Sequence, residues 1–135
     1  MSSSASEKKA LIKYRMVRAR LTLKDAQLLY KQGGGPASIV NRAYYAMFYA
    51  TLALLVTIGQ ESSKHRGVLA LFDQYFIKPK VLPKEMGKFL HHAFDSRQLA
   101  DYEDEVELTK EQALEILESA AQFINSIEEK LSNQS

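Results

Sequence analysis

Apolar positions recur along most of the chain at helical spacing, and no run of alternating β-branched residues reads as a strand. A first helix is predicted from Glu7 to Lys31, with Leu11, Tyr14, Val17, Leu21 and Leu28 on one stripe. The run GGGPA stops it, because three glycines break a helix and Pro36 suits the first turn of the next one. That second helix, PASIVNRAYYAMFYATLALLVTIG, is apolar nearly all round, and residues 43–58 carry no charge. A membrane-spanning helix needs about 17–25 apolar residues. This run is shorter, holds Tyr44, Tyr45 and Tyr49, and is abutted by Arg42, so a core helix buried on several sides is expected and no membrane.

Gly59 closes the second helix, and SSKHRGVLALFDQYFI reads as a third, with Ser62 or Ser63 as its cap. KPKVLP is a loop, since each proline disfavours a helical residue before it. Pro83 opens a fourth helix that carries Met86, Phe89, Leu90, Ala93 and Phe94 and reaches about Asp101. The acidic stretch EDEVEL connects it to a fifth helix, which Thr109 and Gln112 start with a capping-box pattern. Ala113, Leu117, Ala120, Ile124, Ile127 and Leu131 then follow at steps of four and three, the face of an amphipathic helix packed on a bundle. The expected fold is therefore all-α, an up-and-down bundle of four or five helices. Residues 1–6 read as a disordered tail, 7–131 as one domain and 132–135 as a frayed end.

Composition changes this picture in two ways. The chain has no cysteine, which excludes disulfides, thiolate nucleophiles and zinc–cysteine sites, and it shows no secretory signal; a reducing, cytoplasmic setting is expected. The net charge of +2 hides an asymmetry: residues 1–94 carry 15 Lys and Arg against 5 Asp and Glu, and residues 95–135 carry 3 against 11. A basic front attracts phosphates and an acidic back attracts a basic partner, unless the two neutralise each other within the fold or across a dimer.

Signatures of common enzymes are missing: there is no phosphate-binding glycine loop after a strand and no serine-hydrolase elbow. His91 and His92 point to different helix faces, and only Asp95 stands four residues from His91, so no metal site and no cofactor are expected. The segment RQLADY is what remains. Arg97 and Asp101 are neighbours on a helix, and they form either a plain surface ion pair or an oriented guanidinium whose fork grips a phosphate, with Tyr102 beside it. Arg42, at the front of the charge-free helix, needs water or a partner, and His65 lies near a helix start. Together, Arg42, His65 and Arg97 would make a cationic site for a nucleotide or RNA phosphate; whether they converge is not readable from spacing.

The chain resembles the HEPN superfamily, and within it the small prokaryotic proteins of the UPF0332 type. The resemblance rests on NRAYYAMFYATLALL, SKHRGVLALFDQYFIKPKVLP and SRQLADYEDEVELTKEQALEILESAAQFI. It implies a four- to five-helix bundle that commonly dimerises, metal-independent endoribonuclease activity in many members, often as toxins, and frequent pairing with a minimal nucleotidyltransferase as antitoxin. The family's ribonuclease motif is an arginine followed, after four to six residues, by a histidine. Arg97 matches the arginine, but Tyr102 stands where the histidine would be at the shortest spacing. A phenol ionises near pH 10, far from the range of a neutral-pH proton shuttle. Three functions follow as expectations: a phosphate-binding HEPN protein with a nucleotidyltransferase partner, an active ribonuclease toxin in which Arg97, Tyr102 and His65 act, or a structural adaptor.

Overall fold

The computed structural model describes residues 4–102 and 108–133, with side chains described for 4–100 and 108–133. Among these residues there are five α-helices and no strand: α1 Ala5–Lys31, α2 Pro36–Val56, α3 His65–Phe72, α4 Lys84–Tyr102 and α5 Lys110–Ser132, with one π-helical turn, Asp73–Ile77, continuing α3. The fold is an all-α bundle, as the apolar periodicity predicts.

Local chemistry sets the helix ends. The first helix begins two residues before the expected Glu7, because the Ser4 side chain accepts from the Glu7 backbone N–H and the Glu7 side chain reaches back, a capping box. At the other end Gly33 takes a left-handed φ of 76°, Gly34 N–H donates to Leu29 C=O at 2.7 Å and Gly33 N–H donates to Tyr30 C=O at 3.2 Å. This is the closing pattern in which a left-handed residue satisfies the last carbonyls. Thr109 and Gln112 form the second capping box, as their spacing predicts. The third helix departs from expectation. Its N-cap is Lys64, which makes no side-chain cap bond, and Ser62 instead accepts from the Lys64 backbone N–H one step earlier. Nor is it one continuous α-helix through Ile77, since the π turn widens its last part; Gly87 of α4 fits against that turn, where an added Cβ would lie 3.3 Å from Ile77.

The α2 helix is the axis of the molecule, touching α1, α3, α4 and α5. Its length and apolarity would suit a membrane span, yet 67% of its most apolar window is buried inside the bundle. The neighbouring helices account for its charge-free sequence. Thr51, fully buried on it, satisfies its hydroxyl by donating to Met47 C=O at 2.9 Å. Phe72, Phe123, Ile116, Ile124 and Leu90 complete the core around it.

The first helix holds the main surprise. Its buried face is Met16, Ala19, Thr22, Leu23 and Ala26, mostly small residues that let α1 lie close to α2. The more apolar stripe of Leu11, Tyr14, Val17, Leu21 and Leu28 faces solvent, with Leu21 and Tyr14 59% and 58% exposed. Beside α1, Arg20 forks onto Glu128 and also donates to Asn125 at 2.9 Å, so part of the basic front is neutralised by the acidic back within the chain.

Candidate functional site

Tyr44 is the centre of the candidate site. It is fully buried on α2, where a ring gains from burial but its hydroxyl must find a partner. The partner is His65 at the first position of α3: Tyr44 Oη and His65 Nδ1 are 2.7 Å apart. His65 stacks on Phe48 with ring centroids 4.2 Å apart and planes 14° from parallel, and it meets Tyr45 edge-on at 5.7 Å. From α4, Phe94 packs 5.8 Å from Tyr44. The result is an aromatic platform built by α2, α3 and α4.

Cations surround it. The Arg97 guanidinium lies 5.1 Å from the Tyr45 ring centroid and 5.5 Å from that of Tyr44. Arg42 lies over the same Tyr45 ring at 5.3 Å and is held by Asn41, which accepts from its Nη2 at 3.0 Å and its Nε at 3.2 Å. Arg66 lies 5.3 Å over Phe94. Arg42, His65 and Arg97 thus do converge, on one aromatic group. Bringing like charges around a shared ring costs repulsion that cation–π attraction offsets only in part, and a bound anion relieves it. Guanidinium donors lie in the plane of the group, in a fork suited to phosphate oxygens.

Asp101 and Tyr102 end α4, and their side chains lie outside the described residues. The suggested Arg97–Asp101 pair therefore lies outside them too. His91, which shares a helix face with Asp95, bonds instead to Asp73 on the π turn, Nε2 to Oδ2 at 2.6 Å. No group of three or more metal-ligating side chains occurs among the described residues. Sequence reasoning passed over Tyr44, Tyr45, Phe48 and Arg66 as site residues. A tyrosine inside a charge-free helix signals a hydroxyl in need of a partner, but that signal is shared by Tyr44, Tyr45 and Tyr49 and does not single out Tyr44.

Burial and the neighbouring Arg97 both hold His65 below the ordinary histidine pKa, in that order of size, while burial pushes the Tyr44 phenol up against the smaller, opposite pull of Arg97. The ring is accordingly neutral at pH 7. With Tyr44 donating to Nδ1, Nε2 carries the proton and is a donor; with Nδ1 donating to Tyr44, Nε2 is a base. Between the lowered folded value and about 6.5 the unfolded chain binds more protons at His65 than the folded chain does. This contribution to stability is complete above about pH 6.5 and is lost as pH falls through the folded value. Thermal midpoints measured from pH 8 to pH 5 should drop more for the wild type than for His65→Phe, which keeps a stacked ring and cannot titrate. Equal slopes would contradict the assignment.

The decisive comparison is with a known domain family: the HEPN domain matches residues 12–130, nearly the whole described bundle. The chain belongs to the HEPN family. A UPF0332 protein of Thermotoga maritima is 42% identical to it over 123 residues, covering 91% of this chain and 92% of the relative. Two relatives from Methanocaldococcus jannaschii are each named "Putative toxin". One is 39% identical over 68% of this chain and 63% of its own length, the other 34% identical over 68% of both. The arginine–aromatic platform lies within the residues that match the HEPN domain.

Proposed function

We propose that this HEPN protein binds RNA or nucleotide phosphate on the platform of Arg97, Arg42, Tyr45 and His65, which the buried Tyr44 supports, with little or no turnover. We place it in the cytoplasm as a homodimer, working with a minimal nucleotidyltransferase in a toxin–antitoxin-like pair. The convergence of Arg42 and Arg97 on the Tyr45 ring, next to His65, carries the reading. Guanidiniums supply phosphate contacts, and the half-buried Tyr45 ring supplies an edge or face for an unpaired base, the combination that single-stranded RNA recognition uses. The names of the relatives and the family's habit of pairing support the toxin–antitoxin context.

His65 favours a second reading, metal-independent RNA cleavage. An imidazole held neutral, fixed by Tyr44 and set beside a cation has the chemistry of a general base for a 2′-hydroxyl, a role that Tyr102 fills poorly. One experiment separates the two. A labelled single-stranded RNA is incubated with the protein in excess chelator, and both binding and cleavage are read. Binding without cleavage is expected, and it should weaken as salt rises because phosphate contacts release counterions. Cleavage abolished by His65→Ala would make the ribonuclease reading the better one. Neither binding nor cleavage, with RNA or with nucleotides, would leave these polar residues a purely structural role.

A further inference from the structure

The solvent-facing stripe of α1 has no use in the monomer. Tyr14, Val17, Leu21, Lys24 and Leu28 follow one another at alternating steps of three and four, the spacing of a coiled-coil seam. All are exposed, while the smaller Ala19 and Ala26 on the opposite side are fully buried. A helix that turns its larger apolar groups outward keeps them for a partner. We propose that this face of α1 is a docking seam for one acidic amphipathic helix of a different protein.

Charge selects that occupant. The helix carries eight Lys and Arg against two Asp and Glu; Lys24 lies in the seam itself, and Lys13 and Arg18 are exposed beside it. In two-helix seams the flanking positions set partner choice by opposite charge, so glutamate and aspartate belong on the partner. A second copy laid α1 against α1 would set two strongly basic helices together, and the exposed face of α5, with Glu111, Glu115, Glu118 and Glu128, is acidic but offers no comparable apolar row. An anionic membrane suits the lysines, but it would force exposed Asp25, which lies between Leu21 and Leu28, against headgroups of its own sign. At the rim of a helix–helix seam the same aspartate stays in water. The surface is distinct from the phosphate platform and is linked to it: Arg18, on this face, donates to Tyr49 Oη at 3.1 Å, and Tyr49 packs 6.0 Å from Tyr45.

The probe is a labelled 28-residue synthetic helix with leucine at both seam positions and glutamate at the flanks, kept at nanomolar concentration so that it does not pair with itself. A twin peptide with lysine at the flanks is the control. Anisotropy against the full chain should show micromolar binding of the glutamate peptide and at least tenfold weaker binding of the lysine peptide. Leu21→Asp should lower binding of the glutamate peptide at least tenfold, and Tyr14→Glu should do so independently; circular dichroism verifies that each variant is folded. Equal binding of both peptides, no binding at 100 μM (about the weakest affinity of interest), or indifference to both folded variants overturns the proposal. So does sedimentation of the wild type as a dimer that Leu21→Asp turns into a monomer, which assigns the face to a second copy. Binding to phosphatidylglycerol vesicles that is lost in Leu21→Asp assigns it to a membrane and likewise overturns the proposal.

Discussion

Arg97→Ala is expected to weaken binding of single-stranded RNA by roughly 10- to 150-fold, the equivalent of about 1.5–3 kcal/mol for a charged hydrogen bond lost. The guanidinium lies near both Tyr44 and Tyr45, so its removal takes away the cation that those two rings share. Arg42 remains over Tyr45, which is why the loss should be partial. The slope of affinity against salt should also flatten, since one phosphate contact fewer releases fewer counterions. Filter binding at two ionic strengths measures both effects. The fold should persist, because Arg97 is half-buried at the margin of the core rather than inside it. An unchanged affinity in a folded Arg97→Ala would move the ligand site off the platform.

Tyr44→Ala should have the largest effect on stability, about 3–5 kcal/mol, the usual cost of truncating a fully buried aromatic ring. Tyr44 touches Tyr45, Phe48, His65 and Phe94, so its loss opens a cavity and strips His65 of its hydrogen bond together. A domain of ordinary stability holds only about 5–15 kcal/mol in all. Tyr44→Phe isolates the hydroxyl: about 1 kcal/mol should be lost, with the packing kept. Urea denaturation of the two variants beside the wild type reads the difference. A Tyr44→Phe cost as large as that of Tyr44→Ala would mean that the bond to His65, not the ring, holds α2 to α3.

Much of the bundle is legible in the sequence because capping and turn chemistry act locally. Thr109 with Gln112 and Gly33 each do in the fold what their neighbours along the chain dictate, whereas the Ser4–Glu7 capping box lies partly in the stretch 1–6 that reads as a tail. The stripe on α1 shows where that logic stops. Leu11, Tyr14, Val17, Leu21 and Leu28 have helical periodicity, but periodicity gives a face and not what covers it, and close approach to α2 is achieved by Ala19, Thr22 and Ala26 instead. The site divides the same way. Arg42, His65 and Arg97 stand out one by one as cations or titratable groups at helix positions. Their meeting depends on how three helices pack, and no spacing between residues 42, 65 and 97 encodes it. Tyr44, in the middle of an apolar run, looks like core and is core; its second role comes only with the position of His65.

The glycine-closed turn between α1 and α2 has a consequence for synthesis. These two helices are consecutive and joined by residues 32–35, so pairing can start at the turn and little loop entropy opposes it. During synthesis this hairpin is able to form before α4 and α5 exist, because the chain is made from the N-terminal side. Its α2 then waits with the surfaces for α4 and α5 uncovered, an apolar helix displayed to solvent until α5 is made. The same order keeps the arginine–aromatic platform unfinished: Tyr44 and Tyr45 are in place early, while Arg97 arrives only with α4. A nascent chain therefore passes through a stage with an uncovered apolar helix before the arginine–aromatic platform is complete.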